Sequence, residues 1–110
     1  MITIHVHLND PSHGNLRRCV ENEKTGFWRI AEAWLDDADF VCIWSEPGTN
    51  QFDQLIVYRA SVTGHSTVVW RGEQRRLIHF DGSNADWLDT PDVQPTRPVF
   101  DRMGIARETA

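Results

Sequence analysis

The sequence predicts an α+β fold: a mainly antiparallel sheet of about five strands with one long helix packed on one face. Three observations predict it. Ile2, Ile4, Val6 and Leu8 alternate with Thr3, His5 and His7, the period-two pattern of a half-buried strand. Phe27, Ile30, Ala31, Trp34 and Leu35 fall at i, i+3, i+4, i+7 and i+8, one apolar stripe of an amphipathic helix. Between 54 and 80, apolar runs are separated by Gly-containing turns, the signature of a meander.

Taken in order, the first strand is Ile2–Leu8, closed by the turn chemistry of residues 9–15, which include Asn9, Asp10, Pro11 and Gly14. Leu16–Val20 is expected as a short edge strand, since Arg17 and Arg18 discourage further pairing. The helix is expected from about Thr25 to Asp37, capped by Asn22 or Thr25. Phe40–Trp44 is apolar on both faces and reads as a central strand. Gln54–Val62 is expected as the longest strand, turning at 63–66, returning over Thr67–Arg71, turning at 72–74 and closing over Arg76–Phe80. Ser83-Asn84-Ala85-Asp86 resembles a capping box, so Ser83–Leu88 is expected as a helical turn. Pro91, Pro95 and Pro98 make 91–98 extended, and Met103–Ala110 is expected to fray. The whole reads as a single domain, 1–110, whose segment 81–110 is loop-rich and acidic. A strand apolar on both sides needs a second cover, either the tail through Trp87, Leu88, Val99 and Phe100 or a second copy of the chain.

With 110 residues, 40% hydrophobic and 25% charged, the chain has the composition of a globular domain with a core of its own. No stretch approaches the ~18 consecutive apolar residues of a membrane span. Residues 1–5 lack the basic and apolar regions of a secretory signal, so a reducing, cytoplasmic setting is expected, with Cys19 and Cys42 as buried thiols. The formal net charge of −5 argues against direct binding to a nucleic-acid backbone and favours a partner with a basic surface.

No cofactor motif is present: the seven glycines are scattered. Ser45, Ser61 and Ser66 lack the strand–turn–helix context of a nucleophile. Cys42 sits inside an apolar strand, and Cys19 lies beside Arg18, which would favour its thiolate; a structural role is expected for both. His5 and His7 share the polar face of the first strand, with Asp10 and His13 in the next loop and His79 able to join if the strands are neighbours. Converging imidazoles and a carboxylate are what a metal site needs, so His5, His7, Asp10 and His13 form a second reading, a metal-binding module. The expectation is nonetheless that His5 and His7 are partly exposed and unliganded, because alternation alone places polar residues there.

Charge layout is more informative. Asp36, Asp37 and Asp39 cluster at the expected helix C-terminus, where partial negative charge disfavours acid. The stretch 81–96 holds Asp81, Asp86, Asp89 and Asp92, no Lys or Arg, and the apolar pair Trp87-Leu88. An apolar anchor among carboxylates fits an interface hot spot with a polar rim; the structural alternative is that Trp87 folds back as a lid on the core. Arg71, Arg75 and Arg76 surround one hairpin turn, a tip that could touch phosphate. The expected function is therefore non-enzymatic: a small acidic binding protein that occludes a basic, nucleic-acid-handling surface of a protein partner, with Asp36, Asp37, Asp39, Asp86, Trp87 and Asp89 as contact residues. In size, acidity and aromatic content the chain is similar in general character to small inhibitors of phages and mobile elements, such as anti-CRISPR and immunity proteins, a likeness of type that no motif carries. A third reading is a structural subunit that dimerises through a sheet edge.

Overall fold

The computed structural model describes the backbone of residues 1–110 and every side chain except that of His13. Half-buried and buried strands dominate it: β1 (Ile2–Leu8), β2 (Lys24–Trp28), β3 (Phe40–Ser45), β4 (Ile56–Trp70), β5 (Glu73–Leu88) and β6 (Ile105–Thr109). They form one mixed sheet in the order β2-β5-β4-β3-β1-β6. β1 and β3 run parallel, Ile4 beside Val41 and Val6 beside Ile43; the other pairings are antiparallel. The helices are short, α1 (Leu16–Asn22) and α2 (Glu32–Asp36), with a single 3-10 turn at Pro11–His13. The expected five-stranded sheet under one long helix is thus corrected to a six-stranded, curled, mixed sheet with no long helix on either face.

The local reasons are specific. Thr25-Gly26-Phe27-Trp28 is strand because a mid-helix Gly costs about 1 kcal/mol and Thr, Phe and Trp prefer a pleated surface. Thr25 and Trp28 both turn inward across a register shift, so the stripe from 27 to 35 is split between a strand and one turn of helix. Leu16–Val20, expected as a short edge strand, lies in the helix α1: Asn15 Oδ1 accepts from the Arg18 amide at 2.9 Å, and Arg17 pairs with Glu21 four residues on. Glu23 ends α1 in the left-handed region (φ 52°). Its carbonyl accepts from the Phe80 amide at 3.0 Å and its carboxylate from Gly82 at 2.8 Å, so it fastens the helix to β5.

β4 and β5 form one long hairpin. The turn expected at 63–66 is strand, its Gly64 absorbed at a register shift between Val62 and Gly64. The helical turn expected at 83–88 is also strand. Its turn chemistry is real but local: Asp81 accepts from the Ser83 amide and hydroxyl, inside an irregularity where Asp81 faces Ser61 and Asp86 faces Arg59. Ile105–Thr109, read as part of a frayed end, pairs with β1, and the two termini meet through the Met1 ammonium and the Ala110 carbonyl.

The inner face carries the main core, with Ile4, Val6, Val41, Ile43, Tyr58 and Ala60 from the central strands. Leu16 and Cys19 of α1 and Leu35 of α2 cover it. The sheet curls until its edges meet: Trp28 of β2 packs with Met103 and Ile105 in this core and sits against Gly104, where an added Cβ would lie 3.6 Å from the indole. The outer face holds Cys42, Trp44 and Val57 under Leu55, Leu88 and Phe100. The tail supplies that second cover through Phe100; Val99 is exposed and Trp87 lies on the inner side beside Tyr58.

Trp28→Ala should cost about 3–5 kcal/mol in urea unfolding, since it empties the seam between the edges. Trp34→Ala, at a side chain 40% exposed, should cost about 1 kcal/mol or less. Equal losses would show that Trp28 does not close the sheet.

Candidate functional site

His5 and His7 tie neighbouring segments together. His5 is buried (2% exposed) rather than partly exposed. Its Nδ1 accepts the Trp44 indole N–H at 2.9 Å, so the proton sits on Nε2, which donates to Glu108 at 3.1 Å. With both ring nitrogens engaged, His5 keeps no lone pair for a metal. His7 donates through Nε2 to Glu46 at 2.8 Å and stacks on Phe100 at 4.5 Å. Glu46 also accepts from Arg97 at 2.7 Å. Burial opposes ionisation of Glu46, but the hydrogen bonds from His7 and Arg97 outweigh it and hold its carboxyl below the usual range. Asp10 turns back to accept from the Ser12 amide and hydroxyl. The side chain of His13 lies outside the described residues. His79 does not join the first strand: β3 and β4 stand between, and its Nε2 is 2.9 Å from Ser66 Oγ. That Ser66–His79 contact is a nucleophile–base pair in form, yet among the described residues no carboxylate hydrogen-bonds to His79 to orient it. No group of three or more potential metal ligands occurs among the described residues.

The acidic residues separate into two places. Asp36 ends α2 and accepts from His65 Nε2 at 2.7 Å, Asp37 caps the helix, and Asp39 accepts the Ile2 amide at 2.8 Å and so prolongs the β1–β3 pairing. An acid at the end of a five-residue helix meets little dipole, and His65 offsets what there is. Asp86, Trp87 and Asp89 stand beside Arg59, Tyr58 and Phe52. His65 and Tyr58 are seven positions apart on β4, roughly 20 Å, so the six residues do not make one patch. Asp86 also points to the outer face, paired with Arg59 at 2.9 Å.

The second place has shape. Trp87 is 47% exposed, one edge against Tyr58 at 4.8 Å and 71°. Phe52, 52% exposed, stands across from it. Between them lies an open, mainly apolar notch of about 190 Å³, lined also by Gln54, Ile56 and Asp89. Trp87 is therefore neither a closed lid nor a free side chain: one side packs and the other remains open. No family model, curated protein or solved structure matches the chain.

Phe52 was missed at the level of sequence, although a lone aromatic in the polar run Asn50-Gln51-Phe52-Asp53-Gln54 is a legible signal. Also missed was the pairing of Phe27 with Trp70, stacked at 5.3 Å and 28° and each 44% exposed. It joins β2 to the hairpin tip and no local pattern announces it.

Both cysteines are free and buried. Burial pushes the Cys42 thiol up to about 12 from 9.0, against the charge of Arg59, and raises Cys19 as well. The folded chain keeps protons that the unfolded chain releases, so this stabilisation is full below pH 9.0 and falls as pH rises toward about 12. Urea midpoints should fall across that window, less steeply in Cys42→Ala. Iodoacetamide should label neither thiol at neutral pH until urea is added; native labelling of Cys42 would mean that the outer core opens.

Proposed function

We propose that this chain is a non-enzymatic binding protein that seats an apolar side chain of a basic protein partner in the Trp87–Phe52 notch. The observation that supports the reading is the notch itself: two half-exposed aromatics around an apolar opening. Asp89 stands on its lining, Asp53 follows Phe52 in the chain, and the adjoining stretch 81–96 carries four Asp and no Lys or Arg. Aromatic anchors with an acidic surround favour a partner segment in which a Leu, Ile or Met is flanked by Lys or Arg. Asp37, exposed and roughly 20 Å away, contributes to approach rather than to contact, because exposed charges act through the long-range field. Occlusion of a basic surface that normally holds nucleic acid is the action this proposal assigns, inhibitor-like in the manner of small phage-encoded proteins.

Immobilised wild-type and Trp87→Ala chains, incubated with host lysate and compared by quantitative mass spectrometry, test the reading. A basic protein retained at low salt by the wild type and lost from Trp87→Ala is expected. With that protein purified, Trp87→Ala should raise the off-rate and cost about 2 kcal/mol. Asp89→Lys or Asp37→Lys should slow the on-rate, the latter only below about 0.1 M salt. Equal retention by both chains, or a captured partner that is acidic, would sink the proposal.

A further inference from the structure

The surface farthest in character from the notch is the cleft beneath the hairpin tip, where the two sheet edges approach. It measures about 1100 Å³, at the upper end of small-molecule pockets or beyond them, and suits an extended ligand. Phe27 and Trp70 line it as a stacked pair, and the Arg71 guanidinium lies 5.4 Å from the Trp70 ring centre. Arg29, Arg75 and Arg102 line it as well. Four arginines thus face one opening on a chain whose net charge is −5.

Carboxylates offset part of this, Asp10 and Asp101 on the same lining and Glu73 beside Arg29 and Arg75, and the balance stays positive. Asp101 accepts from the Met103 and Ile105 amides, and Asp10 from Ser12. Glu73 pairs with Arg29 and Arg75. Among the described residues, Arg71 and Arg102 take part in no ion pair.

Arg71 is also placed against local preference. The two-residue turn joining Trp70 to Glu73 has φ of 51° at Arg71 and 80° at Gly72. A tight hairpin of this kind favours Asn, Asp or Gly at its first position. Arg71 thus holds its guanidinium at the tip at some local backbone cost.

From the aromatic pair, the unpaired arginines and the strained tip, we infer that this cleft binds a short single-stranded nucleic-acid segment, bases stacked on Phe27 and Trp70 and phosphates on Arg71 and Arg102. Aromatic faces accept any base, so recognition is tolerant of sequence, and a duplex, whose bases are already stacked, is disfavoured. This surface is separate from the Trp87 notch and does not depend on it.

Anisotropy of a fluorescein-labelled uridine octamer RNA, titrated with the full chain, tests the inference, alongside the same octamer in duplex and a labelled Glu-rich octapeptide. Single-stranded RNA should bind at least about tenfold more tightly than either. Trp70→Ala should weaken it about tenfold or more, and Trp34→Ala should leave it unchanged. Arg71→Asn should weaken binding while raising the thermal midpoint, an opposition that a purely structural arginine would not produce. Arg71→Asn with Arg102→Gln should reduce the slope of log K against log salt by ~1.4, about 0.7 per lost phosphate contact. No saturable RNA binding at low salt, equal or tighter binding of the acidic peptide, or affinity unmoved by the Trp70 and Arg71 substitutions would overturn it.

Discussion

Residues 41–45 at the centre of the sheet are wholly buried although successive side chains point to opposite faces. A strand of that kind cannot stand at a wall between core and water, and both its sides must be covered. The parallel pairing of β1 with β3 follows the same constraint, because a parallel neighbour needs a long crossover. That crossover carries α1, β2 and α2, the pieces that close the inner core. The outer core is closed from the other end of the chain, where Phe100 meets His7 and Trp44. One doubly apolar strand thus calls for both halves of the sequence.

The polar groups near β3 are arranged to make that burial tolerable. The Trp44 indole would be an unsatisfied donor beneath the tail, and His5 Nδ1 accepts from it. Glu46, at the strand's exit, collects His7 and Arg97, and the Arg97 guanidinium lies 5.6 Å from the Trp44 ring centre. Two histidines that alternate along a strand are thereby used as fasteners between strand and tail. Thr49 does similar work in the following loop, its hydroxyl reaching the Leu8 and Glu46 carbonyls and its own carbonyl accepting from Leu16.

The net charge of −5 averages two unlike surfaces at opposite ends of the β4–β5 hairpin. Near its open end stands the Trp87–Phe52 notch with Asp89, and at its closed tip the Phe27–Trp70 pair with Arg71. Each leaves aromatics half exposed, beside Asp89 at one end and a small excess of arginine over carboxylate at the other. The two ligands proposed above, a basic protein at one end and a polyanion at the other, follow this division.

Several elements were legible in the sequence because their signals are local. The alternation at 2–8 and the doubly apolar run at 40–44 are realised as β1 and β3, since period and composition report which faces a strand buries. Leu16–Val20 was expected as an edge strand from its two adjacent arginines, whereas the Asn15 cap and the Arg17–Glu21 pair make it helix. Other features had a weaker local signature. The stripe from Phe27 to Leu35 fits a helix of period 3.6 as well as a strand followed by a single helical turn. Gly26 inside that stripe weakens the helix, and β5 as neighbour for Thr25 with Gly104 as neighbour for Trp28 completed the choice of strand. The same holds for the candidate surfaces. The sequence by itself determined that Trp87 sits among carboxylates and that arginines surround the turn at 71–76. The curl of the sheet decided that Phe52 faces Trp87 and that Phe27 stacks on Trp70, and the strand order put two strands between His79 and β1. Periodicity specifies which way a side chain points, whereas its partner is set by how distant segments close around a shared core.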